Sequence, residues 1–97
     1  MEAKRILFTE EDVANLKYRW MEMCPPTVAE RYWDVMDQRY REGQRYYHNF
    51  FHMRRLYKFF DEHVAAIFIQ EAPKEAVRDV TETFLYSLWF HDIIYDP

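Results

Sequence analysis

Glycine is nearly absent: Gly43 is the only one in the 97 residues. Tight β-turns depend on glycine, so a chain with one glycine has few hairpins available to it and is expected to be helical. Cysteine is equally scarce. Cys24 has no partner within the chain, which excludes an internal disulfide framework and points to a reducing compartment. No long hydrophobic run is present. The longest, Val64–Ile69 and Phe84–Phe90, are far short of the roughly 20 residues of a membrane span, and Met1–Arg5 leads into only three apolar residues before Thr9, too few for a secretory signal. A cytoplasmic protein with no membrane partner is therefore expected. Basic excess is missing too. The net charge is −4 and cations are interspersed with acids, which argues against nucleic acid as the main partner.

What the chain has in quantity is aromatic residues, 20% of the total, within a hydrophobic content of 49%. That composition is globular, and the length accommodates one domain, residues 1–97, with a small core. So many rings exceed what a small core needs, so some are expected at the surface or in a pocket.

Periodicity predicts four helices. After a short arm ending in Ile6-Leu7-Phe8, Thr9 and Asp12 resemble a capping box, and Val13, Leu16, Trp20 and Met23 form a stripe that Pro25-Pro26 ends. Thr27 and Glu30 form a second box, opening a helix whose inner face is read as Val28, Tyr32, Val35, Met36 and Tyr40, with Gly43 as its stop. Asn49 is a plausible cap for a third helix bearing Phe50, Met53, Leu56, Tyr57, Phe60 and Val64, which can extend to Ile69 before Pro73 breaks it. The fourth carries Val77, Val80, Phe84, Leu88 and His91. The fold class is all-α, a single helical bundle.

Two stretches carry chemistry. His48 and His52 are four apart, a spacing that puts two imidazoles on one face when both are helical, although an Asn49 cap leaves His48 just outside. His52 and His91 each fall on an apolar face, so they can meet across a helix–helix seam. Asp92 is offset from His91 by about 100° around the axis and still reaches an ion between them. Such a mixed nitrogen and oxygen set suits a divalent transition metal (Mn, Fe, Co, Ni or Zn) better than calcium. His63 lies about 16 Å along the helix from His52 and cannot share that ion. Arg45, Arg54, Arg55 and Lys58 cluster near the first stretch and can hold a phosphate. Alternating with rings, they could also stack nucleic-acid bases, but a solvated face with long stems over apolar surface is the favoured reading.

The run Arg45-Tyr46-Tyr47-His48-Asn49-Phe50-Phe51-His52-Met53, with the later Leu88-Trp89-Phe90-His91-Asp92-Ile93-Ile94-Tyr95-Asp96-Pro97, resembles the HD superfamily of metal-dependent phosphohydrolases. The likeness is greatest to its small predicted-phosphohydrolase branch and covers roughly residues 27–97. It implies an HD-like bundle of about four helices, metal ligation by His52, His91 and Asp92, and a phosphate contact from His48, with Arg45 and Arg55 as further substrate-binding candidates. The implied reaction is hydrolysis of a phosphate ester on a phosphorylated small molecule, with the ion lowering the pKa of its water and polarising a phosphoryl oxygen. HD enzymes add a further aspartate from a later helix, and Asp96, before Pro97, is not expected to replace it. The resemblance thus implies the N-terminal half of an HD domain, incomplete at its C-terminus, with inactivity as it stands among the expected outcomes. Trp89 and Phe90 are then expected to pack against the absent half.

A different class of function competes. A half-bundle exposes an apolar face, and such faces drive association. The alternative is a non-catalytic helical interaction module that forms a homo-oligomer or pairs with a partner segment.

Overall fold

The computed structural model describes residues 8–42, 49–91 and 93, and among these it is all-α with no strand. Phe8 is the part of the N-terminal arm that is described, and its ring meets Phe50 edge-on at 5.3 Å. Gly43, His48, Arg45, Asp92, Asp96 and Pro97, all singled out in the sequence, lie outside the described residues.

Helix α1 spans Glu10–Met23. Its capping box is complete despite the shorter acid: Thr9 Oγ1 accepts from the Asp12 amide at 3.0 Å, and Asp12 Oδ2 accepts from the Thr9 amide at 3.0 Å. Glu10, Glu11 and Asp12 place negative charge at the positive end of the helix dipole. The helix stops where the proline pair forbids continuation.

Helix α2 spans Pro26–Tyr40 and begins earlier than the second Thr-x-x-Glu pattern predicts. Pro26, whose ring presets a helical φ, is the first helical residue, and the carbonyl of Pro25 accepts from the amides of Val28 and Ala29 at 3.0 and 2.8 Å. Thr27 is therefore inside the first turn and does not cap it. The inner face is also different. Ala29, Trp33, Met36 and Tyr40 are buried, whereas Val28, Tyr32 and Val35 are exposed. Two causes fix that orientation. Trp33 carries more apolar area than Tyr32 or Val35. Ala29 is small enough to let α1 approach, and its carbonyl accepts from Trp20 Nε1 at 2.9 Å.

Helix α3, Phe50–Phe59, is capped as expected: Asn49 Oδ1 accepts from the Phe51 amide at 3.0 Å. The rod continues through a π-helical turn, Phe60–Val64, into α4, Ala65–Glu71. Nothing in the apolar spacing announces that wider turn. It leaves Phe60 and Phe68 facing Phe84 at 5.6 Å each. Asp61, on the same turn, receives both terminal nitrogens of Arg19 from α1 at 2.9 and 3.0 Å. Pro73 breaks the rod, a short 3₁₀ turn covers Lys74–Ala76, and α5 runs over Val77–His91.

The core converges on Trp89, which has no exposed surface. Its ring lies 5.3 Å from Trp20, 6.0 Å from Trp33, 6.1 Å from Tyr40 and 5.9 Å from Tyr57, so α1, α2 and α3 all pack on it. Its Nε1 donates to Tyr57 Oη at 2.8 Å, and its carbonyl accepts from Tyr40 Oη. The buried residues of α5 are accordingly Leu85 and Trp89, while Val80, Phe84 and Leu88 are half-buried and His91 is exposed. This corrects the predicted stripe by one position, and it places Trp89 inside this bundle rather than against an absent half. The reason is again ring size, together with an indole N–H whose acceptor is inside the bundle.

Candidate functional site

His52 is the third residue of α3 and His91 the last residue of α5. Their positions follow from the two anchors just described. The Asn49 cap fixes where α3 starts, and therefore where its first-turn side chains point. Trp89 fixes the rotation of α5 two residues before its end. The end of α2 adds a clamp: Arg39 Nε donates to the carbonyl of Ile93 at 2.8 Å while its Nη1 pairs with Glu42 at 3.0 Å. Together with the Tyr40 bond to the Trp89 carbonyl, this holds the last turn of α5 beside the start of α3. Arg39 carries a role that sequence reasoning missed. Its acceptor is a backbone carbonyl 54 positions away, and no side-chain pattern encodes that.

The two imidazoles, 39 positions apart in the chain, are brought to 5.7 Å between ring centroids, tilted by 54°. His52 is half-buried and His91 faces solvent, rather than lying on a buried stripe. Nδ1 of His91 lies at hydrogen-bond distance from the carbonyl of Leu88. A carbonyl only accepts, so Nδ1 is the donor in this bond, and in the neutral ring the lone pair is then on Nε2. This is the usual way a protein orients a metal-ligating histidine: one nitrogen donates to a fixed oxygen and the other is presented to the ion. Two imidazoles sharing one divalent ion at nitrogen–metal distances of about 2.1 Å hold their centroids about 5 Å apart. The observed centroid separation of 5.7 Å is close to that value.

The third expected ligand, Asp92, is outside the described residues, as are His48 and Arg45. Among the described residues, no group of three or more His, Cys, Asp or Glu side chains is gathered in a way that could hold a metal. Arg55 is described: it is exposed, one turn on from His52, with its guanidinium 5.9 Å from the Phe51 ring. Arg54 lies 5.1 Å from the same ring and 3.7 Å from a carboxylate oxygen of Asp12. Lys58 is further along α3, on a cleft of about 300 Å³ lined also by Asn15, Arg19 and Asp61. The cation cluster is thus divided. Arg55 follows His52 by one turn of α3, while Arg54 and Lys58 line the cleft against α1.

His63 is apart from the pair, 3.8 Å from Glu62 and 4.9 Å, ring to ring, from Phe59. Cys24 is buried, and its Sγ accepts from Tyr86 Oη at 3.4 Å. Burial pushes the Cys24 thiol up from its ordinary range, which keeps it protonated and unreactive. Among the described residues, no helix is long and apolar enough to cross a membrane.

Comparison with known protein families, with curated proteins and with solved structures finds no match for this chain.

Proposed function

We propose that the chain is an HD-type metal-dependent phosphohydrolase domain, with His52, His91 and Asp92 as its ligands for a divalent transition metal. The observation that carries this is the meeting of His52 and His91. Two residues from separate motifs stand 5.7 Å apart, ring to ring, and Nδ1 of His91 is engaged by the Leu88 carbonyl, which supports the reading.

The chain's own groups have distinct tasks. His52 and His91 bind, through imidazole nitrogens. Leu88 orients His91 through its carbonyl. Arg39 holds the end of α5, and with it the backbone next to Asp92. Arg55, one turn on from His52, brings a guanidinium whose N–H groups can donate to a phosphoryl oxygen. His48 and Arg45 are further phosphate-binding candidates from the motif resemblance. A divalent ion bound here supplies the Lewis acidity that activates water and polarises a phosphoryl oxygen. The substrate class is a phosphorylated small molecule.

The experiment is hydrolysis of a simple aryl phosphate in the presence of Mn, Fe, Co, Ni or Zn, with His52→Ala and His91→Ala as controls. Turnover that depends on metal and vanishes in both variants is expected. Metal bound without any turnover would show that this chain is inactive as it stands, and absence of metal binding would rule out the site itself.

A further inference from the structure

Arg54 and Lys58 are on a different face of α3 from His52, turned from it by about 160° and 120° around the axis. They line the cleft against α1 instead. Two bridges frame that cleft. At one end Arg54 Nε is 3.7 Å from Asp12 Oδ2, and at the other Arg19 donates to both oxygens of Asp61. In each bridge the α3 side comes 42 positions after its α1 partner, so the two helices run parallel in one register. The same offset sets Leu16 level with Lys58 and Asn15 level with Tyr57. Two turns of helix, about 10 Å along the axis, separate the bridges. Leu16 and Tyr57, both buried, floor the space between, and the Arg19 guanidinium is 4.5 Å from the Tyr57 ring.

The acids of this cleft are engaged and its donors are not. Asp12 Oδ2 accepts from the Thr9 amide, and Asp61 accepts from Arg19. The Arg54 guanidinium, 3.7 Å from Asp12, is beyond hydrogen-bond range of it. Among the described residues, neither Lys58 nor Asn15 has a polar partner. Arg54 and Lys58 are also like charges four apart on one helix face, which destabilises a helix and which a bound anion relieves. We propose that the cleft is a binding site for a small organic monocarboxylate, with its carboxylate held by Arg54, Lys58 and Asn15 and its apolar body on the floor of Leu16 and Tyr57. The fork of an arginine matches the two oxygens of a carboxylate. Asp12, Asp61 and Glu62 border the same space and repel a dianion, so a single charge is favoured over a phosphate. A volume of about 300 Å³ is at the lower end for small-molecule pockets, which restricts the ligand to a short acid. The inference is independent of the metal site, since it uses neither His52 nor His91.

Titration of the full chain with benzoate, followed by amide chemical shifts at constant ionic strength, tests it. Saturable binding of one benzoate is expected, with the shifts confined to the facing sides of α1 and α3. Arg54→Met and Lys58→Met are each expected to weaken it by about tenfold, the scale of one charge-assisted hydrogen bond, and Asn15→Leu severalfold. His52→Ala is expected to leave it unchanged. Asn15, Arg54 and Lys58 are exposed, so helical circular dichroism stays unchanged in their variants and confirms folding. Benzamide, of the same shape without the charge, is expected not to bind, and inorganic phosphate to bind more weakly than benzoate. A chain that does not bind benzoate overturns the inference, and so does binding indifferent to Arg54→Met and Lys58→Met or lost in His52→Ala. Benzamide bound as well as benzoate, or phosphate bound more tightly, overturns the assignment to a monocarboxylate.

Discussion

At the scale of the residue, Trp89 carries the most weight. It joins α1, α2 and α3 to α5 through ring contacts, and both its indole N–H and its carbonyl are bonded inside the core. Trp89→Ala is expected to cost about 3–5 kcal/mol, read as a drop in the urea midpoint. Trp89→Phe keeps much of the ring packing but removes the donor to Tyr57, and falls between that variant and wild type. Tyr57 gives a second expectation. Burial, the largest influence on it, pushes its phenol up to about 12 from the usual 10, only partly opposed by the Trp89 bond and the Arg19 charge. A raised phenol pKa means that the folded state favours the neutral form. Its contribution to stability is therefore intact below pH 10 and is lost as pH rises from there through about 12. Tyr86 is pushed to about 12 as well, chiefly by burial. Unfolding midpoints measured across that window should fall steeply for wild type and less steeply for Tyr57→Phe.

At the scale of the element, caps and breaks were legible in the sequence and faces were less so. Thr9 with Asp12, Asn49, and the prolines at 25, 26 and 73 mark helix ends by local chemistry, and the structure uses each of them. Thr27 has the same local pattern, but the proline ahead of it takes the first helical position, so its side chain has no cap to make. The two threonines thus separate by experiment: Thr9→Ala is expected to destabilise by about 1 kcal/mol, whereas Thr27→Ala stays within about 0.5 kcal/mol of wild type, both measured by denaturant titration. Faces were harder because α2 has two apolar stripes, and spacing alone does not rank them. Burial goes to the stripe with the large ring, Trp33, and the close approach at Ala29; the same preference for the largest ring turns α5 toward Leu85 and Trp89. The π-turn over Phe60–Val64 was not legible at all. It is a backbone accommodation with Arg19 bridging to Asp61 from another helix, and that partner is 42 positions away.

At the scale of the whole molecule, the all-α bundle was legible from composition and periodicity. The candidate site was legible in its two histidines, because their motifs are local and their helices are well marked. The support around them was not. Arg39 reaches a backbone carbonyl, and His91 is oriented by the carbonyl of Leu88, and backbone acceptors leave no trace in residue spacing. That support yields its own expectation: Arg39→Ala leaves both imidazoles in place yet loosens the end of α5, so it should weaken metal binding severalfold without abolishing it, as read by calorimetry.

The central claim is that His52 and His91 ligate one ion, and the most direct measurement is titration with Co²⁺ followed by its visible d–d absorption. The account predicts one ion per chain, with the signal lost in His52→Ala and in His91→Ala but kept in His63→Ala. A chain that binds no cobalt, or whose spectrum is unchanged when either His52 or His91 is removed, would contradict it.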